Sequence, residues 1–89
     1  MAATKNWKVD IFIGERDQTT HAEARLMPVN EVTLTGSGMA RLNATDHDVP
    51  EIGDELAVAR ALSDLAHRLL NAVAEDIEGL THEHVHLTR

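Results

Sequence analysis

Val32-Thr33-Leu34-Thr35-Gly36-Ser37-Gly38-Met39-Ala40-Arg41-Leu42 is the longest alternating stretch of the chain. Val32, Leu34, Gly36, Gly38, Ala40 and Leu42 share one side of an extended strand, and Thr33, Thr35, Ser37, Met39 and Arg41 share the other. A period of two with an apolar side and a polar side predicts a strand at the surface of a sheet. Glycine inside a strand weakens it, and is tolerated where a bulge forms or a packed helix must come close. The pattern leaves both open on this strand, the close approach of a packed helix or a bulge.

Upstream, Trp7, Val9, Ile11 and Ile13 alternate with Lys8, Asp10 and Phe12. This spacing predicts a half-buried strand. Gly14 to Thr20 is polar, begins with glycine and reads as a hairpin loop. His21 to Met27 alternates again, with Ala22, Ala24 and Leu26 on one side and His21, Glu23 and Arg25 on the other. Pro28 cannot donate to a ladder and ends the strand. Short connections between three strands predict an antiparallel meander.

Downstream, Asn43 to Gly53 is rich in Asn, Asp, Pro and Gly and reads as a loop, with Asp54 a candidate N-cap. Val58, Leu62, Leu65, Leu69, Val73, Ile77 and Leu80 then recur in steps of three and four, which predicts one long amphipathic helix. Gly79 is a candidate stop, and the pattern leaves open a break near Ala74–Glu75 that would give a long and a short helix. The fold class is α+β: a three-stranded antiparallel meander packed against one long C-terminal helix. Residues 1–89 form one domain, with 1–5 and 81–89 as flexible tails.

Composition excludes several activities. The chain has no cysteine, so neither a disulfide nor a thiolate is available. With only Trp7 and Phe12 as aromatic residues, it lacks a stacking platform for single-stranded nucleic acid. The net charge is −7. From Met1 to Ala44 five basic residues balance five acidic ones; from Thr45 to Arg89 three bases face ten acids, so the whole excess lies in the second half. Attraction for an anionic partner must come from the first half. No apolar run approaches the length of a membrane span, and Met1 to Lys8 lacks the apolar core of a signal peptide. A cytoplasmic protein without membrane contact is expected.

No arrangement of residues reads as catalytic, and no cofactor site is expected. Gly36-Ser37-Gly38 resembles a nucleophile elbow, but that motif needs a strand-to-helix turn, and here the triplet lies inside a strand. Asp46, Asp48 and Asp54 do not form a calcium loop, because Pro50 and Glu51 fall at the fifth and sixth positions. No metal site is expected; His82, His84 and His86 are the weak candidates, pointing to one side if that segment is extended. His67 and Arg68 read as helix-surface or dimer-rim residues. One surface carries a positive hypothesis. Lys8, His21, Arg25, Thr33, Thr35, Ser37 and Arg41 line the polar side of the sheet, where cations and hydroxyls suit RNA phosphates and sugars or a protein partner.

Gly38-Met39-Ala40-Arg41-Leu42-Asn43, then Val49-Pro50-Glu51-Ile52-Gly53-Asp54-Glu55-Leu56 and Ala59-Arg60-Ala61-Leu62-Ser63-Asp64-Leu65, closely resemble a small actinobacterial family of unknown function. The initial Trp7-Lys8-Val9-Asp10-Ile11 also fits, so the resemblance covers nearly the whole chain. It implies a fold like that of the double-stranded-RNA-binding domain (dsRBD-like), a homodimer, and a link to hypoxia or dormancy. It also implies a likeness in shape to ribosome hibernation promoting factors. It transfers no catalytic or ligand-binding residue, and the terminal histidine run lies outside its pattern.

The resulting expectation is a non-enzymatic, homodimeric protein of a stress or dormancy response, with the ribosome or ribosomal RNA as candidate partner. The alternative is a dimeric regulatory module that engages a basic protein through its acidic helical half, without binding RNA.

Overall fold

The computed structural model describes residues 3–27, 34–41, 50–82 and 87. Strands β1 (Lys8–Arg16), β2 (Thr19–Met27) and β3 (Thr35–Arg41) precede a single helix, α1 (Pro50–Thr81). The sheet order is β1-β2-β3 and both pairings are antiparallel, as the alternations require. Register places Ile11 opposite Ala24 and Ala24 opposite Gly36, with Ile13, Ala22 and Gly38 forming the next row. Directly opposed residues share a side. The helix side of the sheet is thus Val9, Ile11, Ile13 and Glu15, then Thr20, Ala22, Ala24 and Leu26, then Gly36, Gly38 and Ala40.

The core is made of small residues. Ala22, Ala24, Ala40, Ala57, Ala61 and Leu65 are its buried members, with Leu26, Leu34 and Val58 packed around them. The glycines of β3 explain why. A Cβ on Gly36 would overlap the Ala61 carbonyl oxygen and the Leu65 amide nitrogen, and one on Gly38 the Ala57 carbonyl oxygen and the Ala61 amide nitrogen. The helix therefore lies backbone to backbone on β3, the close approach for which glycine is suited.

Four boundaries differ from the sequence reading. β1 runs on to Arg16 and β2 begins at Thr19, so the expected seven-residue loop is a two-residue turn, Asp17–Gln18. Both turn residues have positive φ, 52° and 62°, the left-handed pair that a right-twisted hairpin demands. The helix starts at Pro50 rather than Asp54; proline has no amide to leave unpaired in a first turn. It is continuous across Ala74–Glu75 and passes Gly79 to end at Thr81, so residue 81 is helical and not part of a tail. Termination falls at His82, whose φ of 59° turns the chain and whose amide bonds the Glu78 carbonyl at 2.7 Å. β3 is described as a strand over Thr35–Arg41 only; the remainder of the Val32–Leu42 alternation lies at its margins or outside the described residues.

The largest departure is β1. All nine of its residues are exposed. The alternation is present, but α1 sits over β2 and β3, leaving Val9, Ile11 and Ile13 at 40%, 40% and 48% exposure. The strand is not half-buried.

A cationic sheet face and a clamped edge

The side of the sheet turned away from the helix collects Lys8, Asp10, Phe12, Gly14 and Arg16 from β1. It adds His21, Glu23, Arg25 and Met27 from β2, and Thr35, Ser37, Met39 and Arg41 from β3. Of the candidates named from sequence, Lys8, His21, Arg25, Thr35 and Arg41 therefore share one face. Thr33 lies outside the described residues. So do His84 and His86, as well as Asp46, His47 and Asp48; His82 is described, exposed, at the helix end. Among the described residues no group of three His, Asp or Glu side chains is arranged to hold a metal.

Cross-strand register organises this face. Asp10 lies opposite Arg25 and Phe12 opposite Glu23. The Arg25 guanidinium donates to Glu23 Oε2 at 2.8 Å and sits 4.5 Å from the centre of the Phe12 ring. Glu23 and the ring thus hold Arg25 flat against the sheet, a cation over a π face. Toward the hairpin, Thr19 opposes both Arg16 and Arg41 across its two ladders, so two arginines flank one threonine. A shallow, open depression lies between these groups, bordered by Phe12, Gly14, His21, Glu23 and Ser37. Phe12 and Met39, 49% and 52% exposed, give the face apolar contact points that the polar pattern did not single out.

A second arrangement was not foreseen from sequence. Asp64 Oδ2 accepts the Ser37 amide at 2.9 Å, and Arg60 Nη1 donates to the Met39 carbonyl at 2.7 Å. Both partners are outward-pointing backbone groups of β3, so two helix side chains clamp that edge. Arg68 Nε, one turn on, donates to the same Asp64 oxygen at 3.0 Å. The Ser37 amide, and secondarily the Arg68 hydrogen bond, hold the Asp64 carboxyl below its ordinary value of 3.8. Arg68, expected at the helix surface or a dimer rim, has this orienting role. The helical spacing of Arg60, Asp64 and Arg68 is visible in sequence; their contact with β3 requires knowing on which flank that strand lies.

Ser37 lies inside β3, not at a strand-to-helix turn, with its amide bound to Asp64. Among the described residues, no helix is long and apolar enough to cross a membrane.

An open three-stranded meander under one long helix, with a mixed cationic face behind it, defines a small α+β protein of the open-sheet class. The profile of the Rv2632c-like family matches residues 5–86, and the chain belongs to that family. It is 54% identical over 79 residues to uncharacterized protein Mb1767 of Mycobacterium bovis, covering 89% of this chain and 83% of that one. With uncharacterized protein Rv2632c of Mycobacterium tuberculosis it shares 47% identity over 81 residues, 91% of this chain and 86% of the relative. The crystal structure of Rv2632c superposes with a TM-score of 0.83 at 45% identity, covering 92% of this chain and 96% of that one.

Proposed function

We propose that the chain is a non-enzymatic binding protein of a stress or dormancy response, acting in the cytoplasm, whose outer sheet face contacts the ribosome or its RNA. Segregation of charge carries this reading. The outer face holds Lys8, Arg16, Arg25 and Arg41 against Asp10 and Glu23, whereas α1 holds seven acids against Arg60 and Arg68. A molecule that is acidic overall can approach a polyanion through such a face, because screening confines repulsion from the distant acids to roughly 8 Å at physiological salt. Threonine and serine hydroxyls beside the cations suit sugar and phosphate oxygens, and the exposed Phe12 and Met39 supply apolar contact.

Co-sedimentation of the full chain with ribosomes across a salt series tests this reading. Binding is expected to weaken with salt. The double variant Arg25→Ala/Arg41→Ala is expected to lower the slope of log affinity against log salt by about 2. Absence of co-sedimentation at low salt overturns the proposal.

One observation favours the alternative of a dimeric protein-interaction module without RNA binding. Glu51, Glu55, Glu75 and Asp76 are exposed along α1 and present an acidic surface to a basic protein. Capture of one basic protein, unchanged by nuclease treatment, would support that reading over the first.

A further inference from the structure

The depression on the outer sheet face owes its shape to one missing side chain and one standing ring. Phe12, Gly14, His21, Glu23 and Ser37 border it. Its floor is the row Ile13, Ala22 and Gly38, whose side chains point to the helix side. Gly14 lies opposite His21, and a Cβ there would meet nothing within 4 Å, so the side of the depression next to the imidazole is open. Phe12 and His21 stand on adjacent strands, one side-chain row apart, about 7 Å along the strand direction. Stacked rings lie about 3.4 Å apart, so one flat ring fits between these two. Arg25 covers the Phe12 ring from the row on the other side, opposite Asp10, which leaves the ring's second face to the depression. We propose that this slot takes one unpaired nucleobase, guanine before the others, between Phe12 and His21, with the phosphate of the same nucleotide on Arg16 or Arg41. The proposal rests on the reading of the outer face as an RNA contact and names what that contact selects.

The preference among bases comes from Glu23. Its Oε2 accepts the Arg25 guanidinium at 2.8 Å, which fixes the carboxylate at the border of the slot. Each carboxylate oxygen has two lone pairs, so Oε1 and Oε2 together still accept two N–H donors side by side. Guanine offers such a pair, N1–H and N2–H, on its pairing edge. Adenine and cytosine offer one amino group each, and the single N–H of uracil is flanked by carbonyl oxygens that a carboxylate repels. An unpaired base can be read in this way, stacked on a ring and bonded along its edge.

The phosphate has cations within reach. Arg16 and Arg41 flank Thr19 one row beyond His21, on the same face. The contact of Arg16 with Asp17, 3.9 Å long between side chains 88% and 93% exposed, is weak and yields to a phosphate. A nucleotide whose base fills the slot therefore runs toward the hairpin, with its charge on the arginines. One ring of this kind holds one base rather than a run of them, in keeping with a chain that has only two aromatic residues.

NMR titration of the full chain with two RNA pentamers, UUGUU and UUUUU, and with guanosine 5′-monophosphate tests the slot. UUGUU is expected to bind about 10-fold more tightly than UUUUU, with the largest shifts at Phe12, Gly14 and His21. Glu23→Gln, which replaces one acceptor by a donor, is expected to erase that preference. Gly14→Leu sends its side chain into open space, so it is expected to fold, to fill the slot and to weaken UUGUU about 10-fold. Should Gly14→Leu fail to fold, Glu23→Gln decides. Monophosphate binding as tight as that of UUGUU assigns the slot to free nucleotides, and a tighter pentamer assigns it to an unpaired residue of an RNA strand. Equal affinity of the two pentamers, absence of binding at about 1 mM, or undiminished binding by folded Gly14→Leu overturns the proposal. Ribosome co-sedimentation by a chain that fails these tests leaves the ribosomal reading standing without the slot. Selection of UUGUU by a chain that does not co-sediment keeps the slot and removes that reading.

Discussion

Along β3 the helix lies so close that glycine and alanine face it, and two charged side chains reach over the strand to its outer backbone groups. Along β1 the same sheet carries its largest branched side chains and receives little cover from the helix. A core of this size would ordinarily place the bulky residues inside and the small ones outside. Here the order is inverted across the width of one sheet. Small residues mark where the chain packs on itself at short range, and the large ones lie where the helix gives little cover. Burying five alanines and one leucine gives a modest hydrophobic gain, since each methyl-sized group contributes about 0.8 kcal/mol. The row on β1, 40–48% exposed, adds less to that gain than its size would allow.

Substitutions on the two sides should separate sharply. The largest effect is expected from Gly36→Ala, where the new methyl meets helix backbone rather than a movable side chain. A loss of about 3 kcal/mol, measured by urea unfolding, matches the upper range for overpacking and is enough to unfold a marginal domain. Next comes a paired test. Leu65→Ala, at a residue 6% exposed, should cost about 2.5 kcal/mol. Ile11→Ala, measured in dilute protein, should cost under about 1 kcal/mol. Similar losses at the two positions would contradict the inversion.

Asp64 gives a pH test of the clamp. Its carboxyl titrates below its ordinary value in the folded chain because the Ser37 amide and Arg68 favour the ionised form. The associated stability is present above that ordinary value of 3.8 and is lost as pH falls through the lower, folded value. Asp64→Asn should flatten this acid limb of the unfolding curve while leaving neutral-pH folding intact. A limb of unchanged steepness would show that the carboxylate does not contribute.

The smallest effect belongs to the hairpin, which joins the two regions. Gln18→Gly should stabilise the chain by about 0.5 kcal/mol, since relief of the left-handed strain slightly exceeds the added freedom of the unfolded chain.

Much of this architecture can be read from residue order, and the failures have physical causes. Parity alone assigns Lys8, His21, Arg25, Thr35 and Arg41 to one face, whereas the glycine pair of β3 is compatible with a bulge as well as with the close helix that the structure shows. Parity identifies which side of β1 is apolar, but cover depends on where the helix crosses, and a helix that lies on glycines is drawn toward β3. The Asp17–Gln18 turn was hidden because neither residue is the glycine or asparagine that usually signals a two-residue hairpin. The sequence points to a later helix start because Asp54 is a good cap on its own; Pro50 serves as well four residues earlier. The stacking of Arg25 on Phe12 needs a diagonal across two strands, which no single alternation contains.

The clamp on β3 also fixes the sense in which the helix can be read against the sheet. Arg60 and Asp64 are one turn apart, about 6 Å, and Ser37 and Met39 are two strand residues apart, about 7 Å, so the two spacings match. Their polarities differ: the carboxylate meets an N–H and the guanidinium meets a C=O. Sliding the helix by one turn would bring the guanidinium to the Ser37 amide, donor against donor. The pair therefore works as a keyed connector, accepting one seating of the helix and rejecting its nearest misalignment during assembly.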